Sequence, residues 1–249
     1  MTDTRFDRDQ FAGAYPPGIE RSWWHVARNR TIARRINANL PRGARLLEVG
    51  CGTGIVTCYL HDLGWDVTGV DLGEPRSGLR CPDRLILGQD ATDLPEQQRL
   101  GVDALLLFDV IEHVADAPAF LRTMLSSFPN ARWVVVTVPA RKELWTTFDD
   151  HFGHFRRYDR YMLRDEFARS GLRTTHNAYF FHALYGAIGL NNLLRGRKRA
   201  IAFRAPARGF ASMMNRSVGT LMALGGMLLP GALAGSSIIA IGEREPHHH

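Results

Sequence analysis

Four apolar runs, residues 46–49, 65–71, 105–108 and 133–138, have the composition of strands buried on both faces of a parallel sheet. Between and around them the period changes to that of helices. Residues 20–36 carry apolar side chains at helical spacing with a basic outer face, which predicts a helix packed on the sheet. Residues 161–170 repeat an amphipathic pattern that stops at Gly171, a C-terminal glycine stop. A sixth strand is expected over 172–181 and a seventh over 235–242. About fifty residues separate them, more than a hairpin connection needs, and long connections often form binding lids. Within that stretch residues 218–230 are apolar and uncharged, but Gly225, Gly226, Pro230 and Gly231 interrupt them, so the piece is too short to span a bilayer.

The first apolar run leads into Gly50-Cys51-Gly52-Thr53-Gly54 and then into a helical pattern. Glycines there permit positive φ and let main-chain N–H groups face a ligand at the helix start. An ordinary glycine-rich turn has the same letters, but Glu48 lies inside the strand and Asp71 ends the second run. In an open α/β sheet that end is where a carboxylate accepts ribose hydroxyls. A dinucleotide fingerprint would place a small residue where Ile55 stands; here the third glycine comes one residue early.

This pattern resembles the first motif of the class I S-adenosylmethionine-dependent methyltransferases. The likeness continues through residues 88–95, which look like the loop after the third strand, and 105–114, which look like the fourth strand and its loop in the group that includes the ubiquinone-pathway O-methyltransferases. The resemblance implies a Rossmann-like α/β fold: a seven-stranded, mostly parallel sheet with an antiparallel last strand and helices on both faces. It implies one methyltransferase domain over 1–249, with a helical lid at 1–40, a sheet core at 41–182 and 235–242, and an insertion at 183–234 covering the substrate. S-adenosylmethionine is then the cofactor and S-adenosylhomocysteine its product. Glu48, Gly50, Cys51, Gly52 and Gly54 would form the glycine-loop site, Asp71 and Leu72 would meet the ribose, Asp90 and Ala91 the adenine, and Asp109, Val110 and Ile111 the methionine end.

Acceptor chemistry is expected after the fifth strand, where residues 148–158 leave the carboxyl end of the sheet. Sulfonium is already an activated leaving group, so alignment in a water-poor site supplies much of the rate. A hydroxyl or protonated amine also has to lose a proton, a task suited to histidine. His154 ranks first and His151 second as base, with Tyr158 beside them and His113, Arg157 and Trp24 toward the acceptor. The same segment could simply fix a loop through hydrogen bonds, and Trp23 and Trp24 could be core. A metal held by Asp149, Asp150 and His151 departs from the spacing of the relatives that bind one, so none is expected. Tyr15 and Pro16-Pro17-Gly18 would hinge the lid.

Composition narrows the partners. With 249 residues, 45% of them hydrophobic, one large core is possible. Three scattered cysteines suggest neither a disulfide framework nor a metal site, which points with the charged N-terminus to a reducing cytoplasm. The terminal histidines read as a purification-tag remnant. Much of the net charge of +6 is local: no Asp or Glu occurs between Phe167 and Gly242, while Arg195, Arg197, Lys198, Arg199, Arg204 and Arg208 cluster there. A solvated basic loop, attraction to an acidic acceptor or phosphate, and contact with an anionic membrane surface all fit. Nucleic acid is disfavoured because the basic run lacks interleaved aromatics. The acceptor is therefore expected to be small or lipid-like, methylated at oxygen. A nicotinamide-dependent or nucleotide-sugar oxidoreductase and a non-catalytic, membrane-associated adenosylmethionine binder are the rivals.

Overall fold

The computed structural model describes residues 16–74, 78–198, 205–207 and 209–244. Tyr15, Arg199, Arg204 and Arg208, named above, lie outside the described residues. The described residues contain seven strands: β1 Arg45–Val49, β2 Asp66–Asp71, β3 Leu85–Leu87, β4 Ala104–Phe108, β5 Trp133–Pro139, β6 Leu172–Phe180 and β7 Ser237–Arg244. They form one sheet in the order β3-β2-β1-β4-β5-β7-β6. Pairings from β3 through β5 are parallel, and β7 inserts antiparallel to both β5 and β6.

Alternation along the central strands builds two cores. Leu105 and Leu107 of β4 face the layer that contains Leu121 and Phe167, while Ala104, Leu106 and Phe108 face the layer that contains Ile32, Ile36 and Leu60. Residues burying both faces in this way are the continuous apolar runs of the sequence. The helices that cover them are α1 Trp23–Asn39, α2 Ile55–Asp62, α3 Glu96–Leu100, α4 Ala117–Ser127, α5 Thr147–His151, α6 Arg160–Arg169, α7 His182–Arg195 and α8 Phe210–Leu228. In α1 the start falls later than the apolar spacing predicted, because a 3-10 turn occupies Ile19–Arg21 and Ser22 then caps the helix, accepting the His25 N–H.

Two expectations need correction. Between β6 and β7, α7 carries Arg195, and α8 runs unbroken to Leu228 through Gly225 and Gly226, which the sequence pattern read as an interruption. Packing against α1 holds that helix together despite its glycines, a tertiary effect that outweighs weak propensity. No described helix is long and apolar enough to cross a membrane. Secondly, the cysteines are not all unpaired. Cys58 on α2 is disulfide-bonded to Cys81, 23 residues on, which ties the helix after the glycine loop to the segment that follows β2; Cys51 is a buried free thiol.

Candidate active site

The strand order reverses between β1 and β4, so the loops leaving these neighbours diverge and open a crevice at their carboxyl ends. The glycine loop follows β1. Gly50 and Gly54 have φ of 76° and 77°, and a Cβ would lie 2.9 Å from Val110 Cγ2 at the first and 2.6 Å from Leu85 Cδ2 at the second. Positive φ and close packing both demand glycine there. Gly50 N–H donates to the Val70 carbonyl at 2.9 Å, which fastens the loop to β2.

At the tip of β2, Asp71 accepts the Gly52 N–H through Oδ2 and the Gly73 N–H through Oδ1, each at 2.7 Å. Its carboxylate is thus fixed between the glycine loop and the next turn. Leu72 stands 63% exposed beside it. Asp90 caps the short turn Ala91–Asp93, with Oδ1 accepting from both the N–H and the hydroxyl of Thr92 at 2.8 Å, and Ala91 is buried.

Two members of the predicted glycine-loop site lie beneath the loop. Glu48 is buried and accepts a short hydrogen bond from the Thr57 hydroxyl. Burial pushes its carboxyl up to about 7, against the opposing pull of that hydrogen bond and of Arg28. Glu48 therefore ties β1 to α2 and does not line the crevice. Cys51 is buried too, its thiol raised far above the ordinary range, first by burial and then by Glu48 and Asp71.

After β4, Asp109 adopts φ of 57°, unusual for a residue with a side chain. What holds it there is a group that the sequence pattern did not single out. Arg28, buried on α1, reaches Asp109 Oδ2 at 2.7 Å, and the Thr137 hydroxyl of β5 donates to Oδ1 at 3.2 Å. Arg28 lies 5.1 Å from the centre of the Trp24 ring and 5.7 Å from that of Phe108. The helix was expected to keep its basic residues outside; Arg28 is the exception. Only its charge on the apolar side of the helical pattern could have given it away. Val110 touches the glycine loop, whereas Ile111 is fully buried in the core and has no access to the methionine end.

Beyond Asp109 the histidines converge. The rings of His113 and His154 meet edge to face with centres 4.7 Å apart. His154 Nδ1 is 2.9 Å from Asp149 Oδ1, and the same oxygen accepts the Arg157 Nε–H at 2.7 Å. Asp149 Oδ2 accepts the Thr146 N–H at 2.8 Å, closing a capping box on α5. Burial alone would raise the Asp149 carboxyl, but the hydrogen bonds from His154 and Arg157 bring it down to about 2. An ionised Asp149 orients the His154 ring and leaves Nε2 turned toward its neighbours. Burial, and then the nearby His154, lower His113 to about 4, so it is neutral at pH 7. Glu112 is fully buried between them and raised well above the carboxylate range, first by burial and then by Asp109. Glu112, His113 and His154 each offer a ligand atom within 4.8 Å of the others, while Asp149, of the set considered from sequence, is already committed to Thr146, His154 and Arg157.

Two of the remaining candidates are buried. Tyr158 is fully buried and its hydroxyl donates to the Ile111 carbonyl at 3.3 Å, so it braces the loop after β4 and cannot touch an acceptor. Arg157 is buried and also donates to the Ala140 carbonyl at 3.2 Å, which makes it a positioning residue for Asp149. His151 is exposed and packs on Phe152, outside the Glu112, His113 and His154 cluster. Trp24 is half-buried against His25 and Phe181 near Arg28.

A parallel sheet with this reversal, a glycine loop after β1 and an acid after β2 defines a Rossmann-like nucleoside-binding architecture. The family described as a methyltransferase domain matches residues 23–177, and the chain belongs to it. A ubiquinone biosynthesis O-methyltransferase of Xanthomonas axonopodis pv. citri is 30% identical over 137 residues, 47% of this chain and 54% of that protein. The chain thus spans about half the length of the relatives it matches. Two solved structures share the fold: magnesium protoporphyrin IX methyltransferase of Synechocystis with bound SAH (TM-score 0.50, 14% identity, 89% of this chain and 83% of that one) and 1,6-didemethyltoxoflavin-N1-methyltransferase of Burkholderia thailandensis with bound S-adenosylhomocysteine (TM-score 0.51, 15% identity, 89% and 79%).

Proposed function

We propose that this protein transfers a methyl group from S-adenosylmethionine to a small or amphiphilic acceptor, at an oxygen atom, and releases S-adenosylhomocysteine. The observation that carries the reading is the crevice at the β1/β4 reversal, with the glycine loop held on Asp71 at one side and Asp109 held by Arg28 at the other. Adenosine would lie along Asp71, Leu72 and the Asp90 turn. The methionine end would lie near Asp109 and Val110, close to the histidine pair. There the acceptor hydroxyl meets the methyl carbon in line with the sulfonium sulfur, and His154 Nε2 takes its proton while Asp149 stabilises the imidazolium formed. The neutral His113 orients the acceptor. The O-methyltransferase names of the sequence relatives favour oxygen as the acceptor atom. A methyl-release assay with S-adenosylmethionine over phenols, amines and lipid extracts tests the reading; binding without turnover of any acceptor would contradict it.

One observation favours a second reading of the same cluster. Glu112, His113 and His154 can converge on a divalent cation, which would lower the pKa of a coordinated hydroxyl and remove the need for a histidine base. Loss of turnover on chelation, restored by added magnesium or zinc, selects this reading; turnover indifferent to chelator selects the base.

A further inference from the structure

We propose that α8, with the adjoining ends of α7 and α1, forms a docking surface for an anionic phospholipid bilayer. The proposal is independent of the methyl-transfer reading, since it concerns the outer layer and not the crevice.

α8 packs inside out. The residues it turns to α1 are small or polar: Trp23 N–H donates to Asn215 Oδ1 at 3.1 Å, a Cβ on Gly219 would lie 2.6 Å from the Trp23 carbonyl oxygen, and Ala223 is buried. Met222 packs against the core, but most of the helix's large apolar residues point the other way. Met213, Leu221, Leu224 and Leu228 recur at helical spacing and are all exposed, Leu221 by 68% and Leu228 by 84%. A soluble helix normally buries such a stripe. Leu190, Leu193 and Leu194 extend the exposed apolar surface on α7, which contacts α8 and has no buried residue. Clustered exposed apolar side chains of this kind mark an interaction site.

The surrounding charge identifies the occupant. Arg216 of α8 is exposed, as are Arg195, Arg197 and Lys198 at and just beyond the end of α7. Between α1 and α8 a cavity of about 230 Å³ is lined by Arg30, Arg34 and Arg35 together with Thr220 and Leu224. Three guanidinium groups beside a leucine suit a phosphate head group whose acyl chains follow the stripe. α1 contains no Asp or Glu, and none occurs between Phe167 and Gly242, so the two helices that line the cavity carry no acid of their own. A second copy of this face would set the same cations against each other across a two-fold axis, so self-association is opposed. A nucleic acid would meet leucine and methionine where stacking aromatics are needed. A bilayer rich in anionic lipid satisfies both halves of the surface.

Vesicle co-sedimentation of the full chain tests this. Vesicles of phosphatidylcholine with about one third phosphatidylglycerol should bind at least tenfold more tightly than phosphatidylcholine alone, given the roughly tenfold or smaller gain per basic residue near an anionic surface. Removing three exposed cations in R34Q/R197Q/K198Q should weaken binding to the anionic vesicles about a hundredfold and reduce the preference for phosphatidylglycerol accordingly. L221E/L224E should abolish binding to either vesicle. All five side chains are exposed, so thermal melting should be unchanged; high salt should release the unaltered protein, which reads the charge contribution without any substitution. Equal binding to both vesicles, no binding, or wild-type binding by either variant would overturn the proposal. So would a stable dimer in sedimentation velocity that L221E/L224E dissociates, which would assign the face to a second copy.

Discussion

The two ends of the crevice are built by different means. At the glycine-loop end the donors are main-chain N–H groups: Gly50 to Val70, Gly52 to Asp71, Gly73 to Asp71. At the histidine end the donors are side chains: Arg28 to Asp109, Tyr158 to the Ile111 carbonyl, Arg157 to the Ala140 carbonyl. Main-chain donors are set by the course of the sheet and its loops, whereas side-chain networks can be exchanged without moving the sheet. The comparison explains why the donor is easier to infer than the acceptor.

The difference is sharpest when each end is broken separately. Asp71→Ala removes the ribose acceptor and leaves the Gly52 and Gly73 N–H groups without their partner, so affinity for S-adenosylmethionine should fall on the order of a thousandfold by calorimetry, about two charge-assisted hydrogen bonds. His154→Ala should do the reverse, lowering kcat about a hundredfold while cofactor affinity changes less than about twofold; a loss of cofactor affinity equal to the loss of turnover would deny that the ends are separable. Reduction of Cys58–Cys81, or Cys81→Ser, opens a 23-residue separation and should lower stability by about 3 kcal/mol in denaturant unfolding, with kcat at saturating cofactor little altered.

The smallest of these effects concerns acid. His113 titrates at about 4 in the folded protein against 6.5 in the open chain, so between these values the unfolded state binds the additional proton and stability falls as pH drops. The shift sets a ceiling near 3 kcal/mol, and roughly 1–2 kcal/mol is expected after solvent relaxation. His113→Gln should flatten that part of the acid limb; an unchanged limb would mean that His113 charges freely in the native state.

What could be read in the chain follows the same division. The apolar runs of β1, β2, β4 and β5, the glycine positions and Asp71 are local signals, and all appear where their spacing put them. Ile111 and Tyr158 were misplaced because a motif gives the order of residues but not the face each one takes; both turn into the core. Arg28 was missed because its partner lies 81 positions away, and an arginine in a helical pattern ordinarily belongs to the wet face. The Cys58–Cys81 bond depends on how the segment after β2 folds back on α2, which no cysteine spacing encodes. Helix α8 likewise owes its continuity to α1, a contact the sequence states only as glycine and alanine where bulk would be expected.

Calorimetric titration of the unaltered protein with S-adenosylmethionine, S-adenosylhomocysteine and NAD is the most direct test of the central claim, that this crevice is built for a methyl donor. The account predicts saturable binding of one molecule of either sulfur compound per chain and none of NAD at the same concentrations. Binding of NAD in preference to S-adenosylmethionine, or binding of neither, would contradict it.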